Sequence, residues 1–172
     1  YTRIREDLER SIALLPEKPR YATRPSQWAS YALLSRMYVS MQKYEQSLRY
    51  ADSCLMIADE LLDYNELDTA PLFPMALFNK EVIFHSLLLG NNAPNNFVLG
   101  FGISQIDSVL LKSYADHDLR KGAFFKSFGG NTYFGGSYSG SSYLFGGLAT
   151  DEVWLIRAEN YARLGQTQAA LD

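Results

Sequence analysis

Ser26–Leu62, SQWASYALLSRMYVSMQKYEQSLRYADSCLMIADELL, is the stretch whose reading decides the fold. In its second half Tyr44, Leu48, Ala51, Leu55, Ala58 and Leu62 recur at alternating spacings of four and three. That is the period of one face of an α-helix. Tyr50, Cys54, Ile57 and Leu61 form a second stripe beside the first, so the apolar arc is broad. Glu45, Arg49, Asp52, Asp59 and Asp63 keep the opposite face in water. The first half predicts another helix, with Trp28, Tyr31, Ala32, Leu34, Ser35, Tyr38 and Met41 turned inward. Only Gln42 and Lys43 separate the two, and so short a link makes the helices antiparallel. The stretch predicts a helical hairpin.

Working outward, Ile4, Leu8, Ile12 and Leu15 mark one face of a helix over 1–15, and Pro16 stops it. A polar linker over 17–25 follows, and Ser26 is placed to cap the hairpin. Beyond Leu62 the helical period fades through Pro71 and Pro74. Val82, Ile83 and Phe84 predict a short strand within 81–85. An Asn-rich loop spans 90–102, helical spacing returns over 104–114, and 123–128 predicts a second strand. Residues 129–147 shift to Gly, Ser, Tyr and Phe, which predicts an ordered loop or hairpin, because a flexible linker would not carry so many rings. Thr150 then caps a helix to Leu164, with Asp151 and Glu152 complementing its dipole and Gly165 in a left-handed position past its end. Residues 167–172 start a further helix.

The composition excludes several classes. A chain of 172 residues is long enough for one cohesive core. Sixteen Lys and Arg against nineteen Asp and Glu give a net charge of −3 with no basic block, which argues against a nucleic-acid surface. No apolar run has the length of a membrane-spanning helix. The chain opens at Tyr1 inside a helical pattern, so it is expected to be an internal piece or processed product. A single Cys forbids an internal disulfide.

Two segments share one spacing. Tyr31-x-x-Leu34-Ser35-x-x-Tyr38 followed by Tyr44-x-x-Ser47 and Cys54 matches the tetratricopeptide alternation of large, small and aromatic positions. Trp154-x-x-x-Ala158-x-x-Tyr161-x-x-x-Gly165-x-x-x-x-Ala170 matches it again. Ser35 and Ala158 are small enough to let paired helices approach closely, and such hairpins stack into a superhelix because one alone cannot bury its apolar face.

Five blocks occur in order: IREDLERSIALLP, RPSQWASYALLSRMYVSMQKYEQSLRYAD, NKEVIF, Tyr114-x-x-x-Asp118-x-Arg120 and TDEVWLIRAENYARLGQTQAALD. Together they resemble the SusD/RagB family of outer-membrane nutrient-binding lipoproteins, over nearly the whole chain. The resemblance implies a mainly α fold, an α-α superhelix of tetratricopeptide-like hairpins with long loops and a few short strands. It implies one domain fragment over 1–172, with a hairpin at 26–62, a loop-rich insertion at 63–148 and the start of a second hairpin at 150–172. It further implies a cell-surface protein that captures glycans, or peptides in the RagB branch, and passes them to a TonB-dependent transporter. Membrane attachment would be through a lipid anchor outside this chain. The first helices of the family, its lipidated Cys and all that follows the last hairpin are expected to lie beyond the ends. The family's ligand contacts vary in position, and none carries over by motif.

The chemistry-bearing residues point away from catalysis. His85 follows an apolar run and reads as a packed or edge residue, and Cys54 sits within the second apolar stripe as an inert core thiol. Asp116-His117-Asp118 reads as a charged turn, since no Cys or Glu-x-x-His partner supports a metal. The glycine run from Gly130 has the spacing of a phosphate loop, but Gly136 stands where the Lys should be and no helix follows. No cofactor is expected. Trp28 and Trp154 have core spacing.

Neutral sugars are recognised when an apolar ring face stacks on an aromatic side chain while hydroxyls meet amides and carboxylates. Two loops supply both ingredients, and loops on a rigid scaffold commonly carry binding. The candidate ligand contacts are Asn91, Asn92, Asn95, Asn96, Phe97 and Phe101 in the first and Tyr133, Phe134, Tyr138 and Tyr143 in the second. The competing account is that these rings pack their loops onto the helices. Two other classes stay open: a tetratricopeptide adaptor holding a peptide in a concave groove, and a glycosidase with two neighbouring carboxylates.

Overall fold

Ser26 ends the linker by satisfying a free helix donor. Its Oγ accepts the Ala29 N–H at 3.1 Å and so caps α2 (Gln27–Ser40). The structure, a computed structural model, describes residues 1–88, 104–141 and 143–172. It divides into two compact units, one of Tyr1–Leu61, Lys80–Phe84 and Gly147–Asp172, the other of Leu62–Asn79 and His85–Gly146.

In the first unit α2 is the central element. Trp28, Ala29, Ser30, Ala32, Leu34, Ser35, Met37 and Tyr38 are all buried, so it is wrapped nearly all round. α1 (Thr2–Leu14) packs on one side through Leu8 and Ile12 against Leu34, Met37 and Tyr38. Ile4, expected on that face, is exposed. Ser11 and Ser30 share a hydrogen bond at 2.7 Å, and the Gln27 amide donates to the Ile12 carbonyl at 2.7 Å. On the other side α3 (Tyr44–Ile57) returns antiparallel after a turn in which Gln42 is left-handed, with φ 57°. Tyr38 and Tyr50 stack across this hairpin with ring centroids 5.5 Å apart.

α3 ends one turn before the expected Leu62. Ala58 is extended, at φ −161° and ψ 135°, and the Asp59 carbonyl accepts the Trp154 indole N–H at 3.1 Å. The carbonyl thus serves a neighbouring helix where a continued α3 would have kept it. The buried line on α3 is Ser47, Ala51, Cys54 and Leu55, while Leu61 is exposed.

β1 (Val82–Phe84) lies inside the expected strand and pairs antiparallel with β4 (Leu148–Ala149), Val82 opposite Ala149 and Phe84 opposite Leu148. α6 (Thr150–Arg163) starts directly from β4. Thr150 is therefore its first residue and Ala149 its cap, a correction to the expected Thr150 cap. Strand pairing explains it: the Thr150 N–H donates to the Glu81 carbonyl at 2.9 Å, and its hydroxyl donates there too at 3.3 Å. Gly165 is left-handed at φ 75°, as expected, and α7 (Thr167–Leu171) follows.

α6 packs against α3 and α2, so hairpins far apart in sequence are neighbours in space. Three polar ties join them. Glu152 in the first turn of α6 forms a bidentate pair with Arg36, which also donates to the Gly147 carbonyl at 2.8 Å. Arg157 pairs with Asp52 at 2.8 Å and lies over the Trp154 and Tyr161 rings. Deepest is Asn160, fully buried, whose amide donates to Ser47 Oγ at 2.9 Å, while Ser47 Oγ donates to the Ser35 carbonyl at 2.9 Å.

In the second unit Asp107 caps α4 (Ser108–Ser113) by accepting the Val109 N–H at 2.7 Å. The helix starts after the expected 104 because the Ile106 N–H is taken by the Thr132 carbonyl at 2.8 Å. Asp118 caps α5 (Leu119–Phe124), which absorbs the first two residues of the strand expected over 123–128. β2 (Phe125–Phe128) and β3 (Asn131–Phe134) then form an antiparallel hairpin. Its turn is Gly129-Gly130, at φ 59° and 80°, where only glycine adopts both angles without strain. A Cβ on Gly136 would collide with the Phe124 backbone, which fixes how the chain after β3 passes α5. Lys126 donates to the Thr69 carbonyl and, at 3.0 Å, to that of Gly122, fastening the irregular 62–79 segment to the hairpin.

Two stability tests follow from the first unit. Asn160→Ala strands the partners of a buried amide and is expected to cost about 1–3 kcal/mol, read as a lower denaturant midpoint of the full-length protein at unchanged slope. Burial also pushes the Cys54 thiol up to about 12, so maleimide at pH 8 is expected to leave it unmodified until denaturant is added. Rapid labelling of the native protein would contradict its core placement.

Candidate ligand-binding cleft

β2 and β3 alternate, so the hairpin has two different faces. Register places Phe125 opposite Phe134 and Ser127 opposite Thr132 on one face, and Lys126 opposite Tyr133 on the other. Tyr133, a candidate contact from sequence, is only 8% exposed. Phe134 is half-buried with its ring 6.3 Å from that of Phe124. Tyr138 is half-buried and meets Phe145 edge to face at 5.5 Å. Phe145 lies 5.8 Å from His85, and His85 lies 4.9 Å from Phe78, so four rings form a ladder. Burial holds the His85 imidazole below its ordinary range, which keeps it neutral near pH 7. Tyr143 is the expected contact with an open surface, 46% exposed. Asn91, Asn92, Asn95, Asn96, Phe97 and Phe101 lie outside the described residues.

The face bearing Ser127 and Thr132 forms one wall of an open cleft of about 430 Å³. Leu111, Lys112 and Tyr114, from α4 and its end, form another wall, and Asp116 and Lys121 close the turn into α5. Tyr114 and Phe125 meet edge to face at 5.4 Å, giving the cleft an aromatic corner. The Ser127 and Thr132 hydroxyls are 3.3 Å apart, and each can turn a donor or a lone pair towards a guest.

The charges beside this corner are largely assigned to structure. Asp118 accepts from the Arg120 backbone N–H at 3.0 Å and from its guanidinium at 2.9 and 2.6 Å. The hydrogen bonds from the Arg120 side chain hold the Asp118 carboxyl down to about 2. Arg120 in turn lies 5.0 Å above the Tyr114 ring and fixes its orientation. Asp116 pairs with Lys121 at 3.5 Å. Among the described residues no group of three His, Cys, Asp or Glu is placed to hold a metal ion. Within Asp116-His117-Asp118, Asp118 caps α5 and Asp116 pairs with Lys121 across the turn. What the arrangement offers is a surface for binding: an apolar corner, two hydroxyls and peripheral charge.

Tyr114, Asp118 and Arg120 stand out in the sequence as a block, with nothing there to mark Tyr114 as a candidate contact. Phe125, Ser127 and Thr132 were missed as well. The strand alternation of Phe125 and Ser127 was their one available signal, and the pairing with Thr132 depends on the Gly129-Gly130 turn.

Residues 1–39 match a SusD-like family model described as starch-binding and associating with the outer membrane. No curated protein matches the sequence. Among solved structures, a SusD-like carbohydrate-binding protein from Bacteroides vulgatus matches 96% of this chain and 40% of its own, at TM-score 0.71 and 20% identity. A SusD superfamily protein from Bacteroides thetaiotaomicron matches 96% of this chain and 43% of its own, at 0.67 and 18%. A second SusD superfamily protein from Bacteroides vulgatus matches 97% and 42%, at 0.62 and 20%. The chain thus spans less than half the length of these structures. Mostly helical, with paired hairpins and a few short strands, it has the SusD-like fold, and its first 39 residues carry the family's pattern.

Proposed function

We propose that this chain is part of a cell-surface binding protein, not an enzyme, that captures glycans and delivers them to a TonB-dependent outer-membrane transporter. The observation that carries the reading is the likeness of the fold, over 96% of the chain, to a SusD-like carbohydrate-binding protein. The starch-binding, outer-membrane description of the family model over residues 1–39 supports the same class. Lipid anchorage and the transporter partner belong to this proposal and rest on the family likeness.

The second unit supplies the physical means. The aromatic corner of Tyr114 and Phe125 offers an apolar surface to the C–H face of a pyranose, and Ser127 and Thr132 offer hydroxyl partners to its rim. Tyr143, half-exposed, and the loop holding Asn91, Asn92, Asn95, Asn96, Phe97 and Phe101 are further proposed contacts. Tyr133 is proposed to act as support, since its burial leaves little ring for a ligand.

The test is a screen of the full-length, unlipidated protein against starch, other polysaccharides, their oligosaccharides and peptides, with calorimetry on each hit. Glycan binding is expected. Tyr114→Ala or Tyr143→Ala is expected to weaken it roughly tenfold, the scale of a central aromatic contact, with an unchanged unfolding midpoint. Binding to peptides alone would replace the glycan reading with the peptide-capturing branch. Retention of neither class by a folded protein would leave a protein-binding scaffold.

A further inference from the structure

We propose that the cleft between α4, the α5 turn and the β2–β3 hairpin takes an acidic sugar, a hexuronate unit whose carboxylate pairs with Lys112. The proposal rests on the glycan-binding reading above and names the ligand class of the site.

The chain as a whole carries −3, yet the cleft does not share that sign. Its charged lining is Lys112, Lys121 and Asp116. Asp116 and Lys121 pair with each other at 3.5 Å and offset one another. Of the next carboxylates in sequence, Asp107 accepts the Val109 N–H as the α4 cap, and Asp118 is held by Arg120 through two side-chain hydrogen bonds. Among the described residues no carboxylate pairs with Lys112. The lining therefore carries one uncompensated positive charge, on the flexible stem of an exposed lysine.

The rest of the lining is matched to a sugar ring. Leu111, Tyr114 and Phe125 form an apolar side, and Ser127 and Thr132 form a hydroxyl side. A volume of about 430 Å³ lies within the roughly 300–1,000 Å³ range of small-ligand sites. A neutral hexose would meet both sides and leave the ammonium unanswered. An inorganic anion would answer the ammonium and leave the aromatic corner bare. A hexuronate has an apolar ring face, a hydroxyl rim and a carboxylate in one unit, and it meets all three.

Methyl esterification removes the charge of a uronate and leaves its ring and hydroxyls, so it isolates the contact. The full-length protein is titrated calorimetrically with oligogalacturonate and glucuronate-containing oligosaccharides, each beside its methyl ester and a neutral oligosaccharide of equal length. The acid form of at least one series is expected to bind about three- to tenfold more tightly than its ester, the scale of a charge-assisted contact at a partly open site. The preference is expected to shrink between 0.05 and 0.5 M salt, by roughly the extent that screening predicts. Lys112→Gln is expected to abolish the preference at an unchanged unfolding midpoint, and Lys112→Arg to keep it. Equal binding of acids and esters, or a preference that survives Lys112→Gln, would overturn the assignment. Neutral glycans binding while every acid fails overturns it too and leaves the glycan reading intact. Failure of all glycans, charged and neutral, overturns both.

Discussion

The first unit depends on one buried polar chain, from the Asn160 amide through Ser47 Oγ to the Ser35 carbonyl. Each member comes from a different helix, α6, α3 and α2. Serine is small at two of the three positions, so the helices approach closely enough for the bonds to form. The same closeness excludes water, so each donor must find its partner inside the protein. Apolar packing tolerates a sliding of one helix along another, since Leu and Ala surfaces fit in several ways. A hydrogen-bonded chain in the interior does not. It fixes the axial position of α6 against α3; Arg157 with Asp52 repeats that constraint one turn earlier on α6, and Glu152 with Arg36 ties the first turn of α6 to α2.

Much of this architecture was legible from residue spacing. The hairpin of α2 and α3 followed from apolar periodicity and a link too short for anything but antiparallel return. The Gly165 turn, the strand around Ile83 and the hairpin nature of the glycine-rich stretch were also readable. The errors lie where a distant partner changes a local outcome. Local preference made Thr150 a cap, but Glu81 takes its hydroxyl. Periodicity carried α3 to Leu62, but Trp154 takes the Asp59 carbonyl. Asn160 carried no periodic signal, and Ser47 stood out only as a small position of the repeat pattern, so their bond was not foreseen.

The candidate cleft was not legible in place. Rings and small polar residues pointed to two loops, of which the described cleft takes in only Thr132. Which rings face outward could not be read from composition. Tyr133 and Tyr138 serve packing because strand register and a neighbouring ring take them up, whereas Tyr114 gains its position from Arg120 and Asp118. Those dependencies run through turns and pairings that a one-dimensional pattern does not contain.

The short ladder of β1 and β4 has a consequence for how such a chain can change over time. Phe84 and Leu148 are opposite one another, so everything between them departs and returns at a single fixed gap. The closure entropy of a segment tethered in this way depends only slowly on its length. Doubling a flexible loop costs only about 0.6 kcal/mol in closure entropy. Insertions, deletions and wholesale replacement of the intervening residues are therefore cheap for the scaffold. A lineage can exchange those residues while Asn160, Ser47 and Ser35 stay as they are.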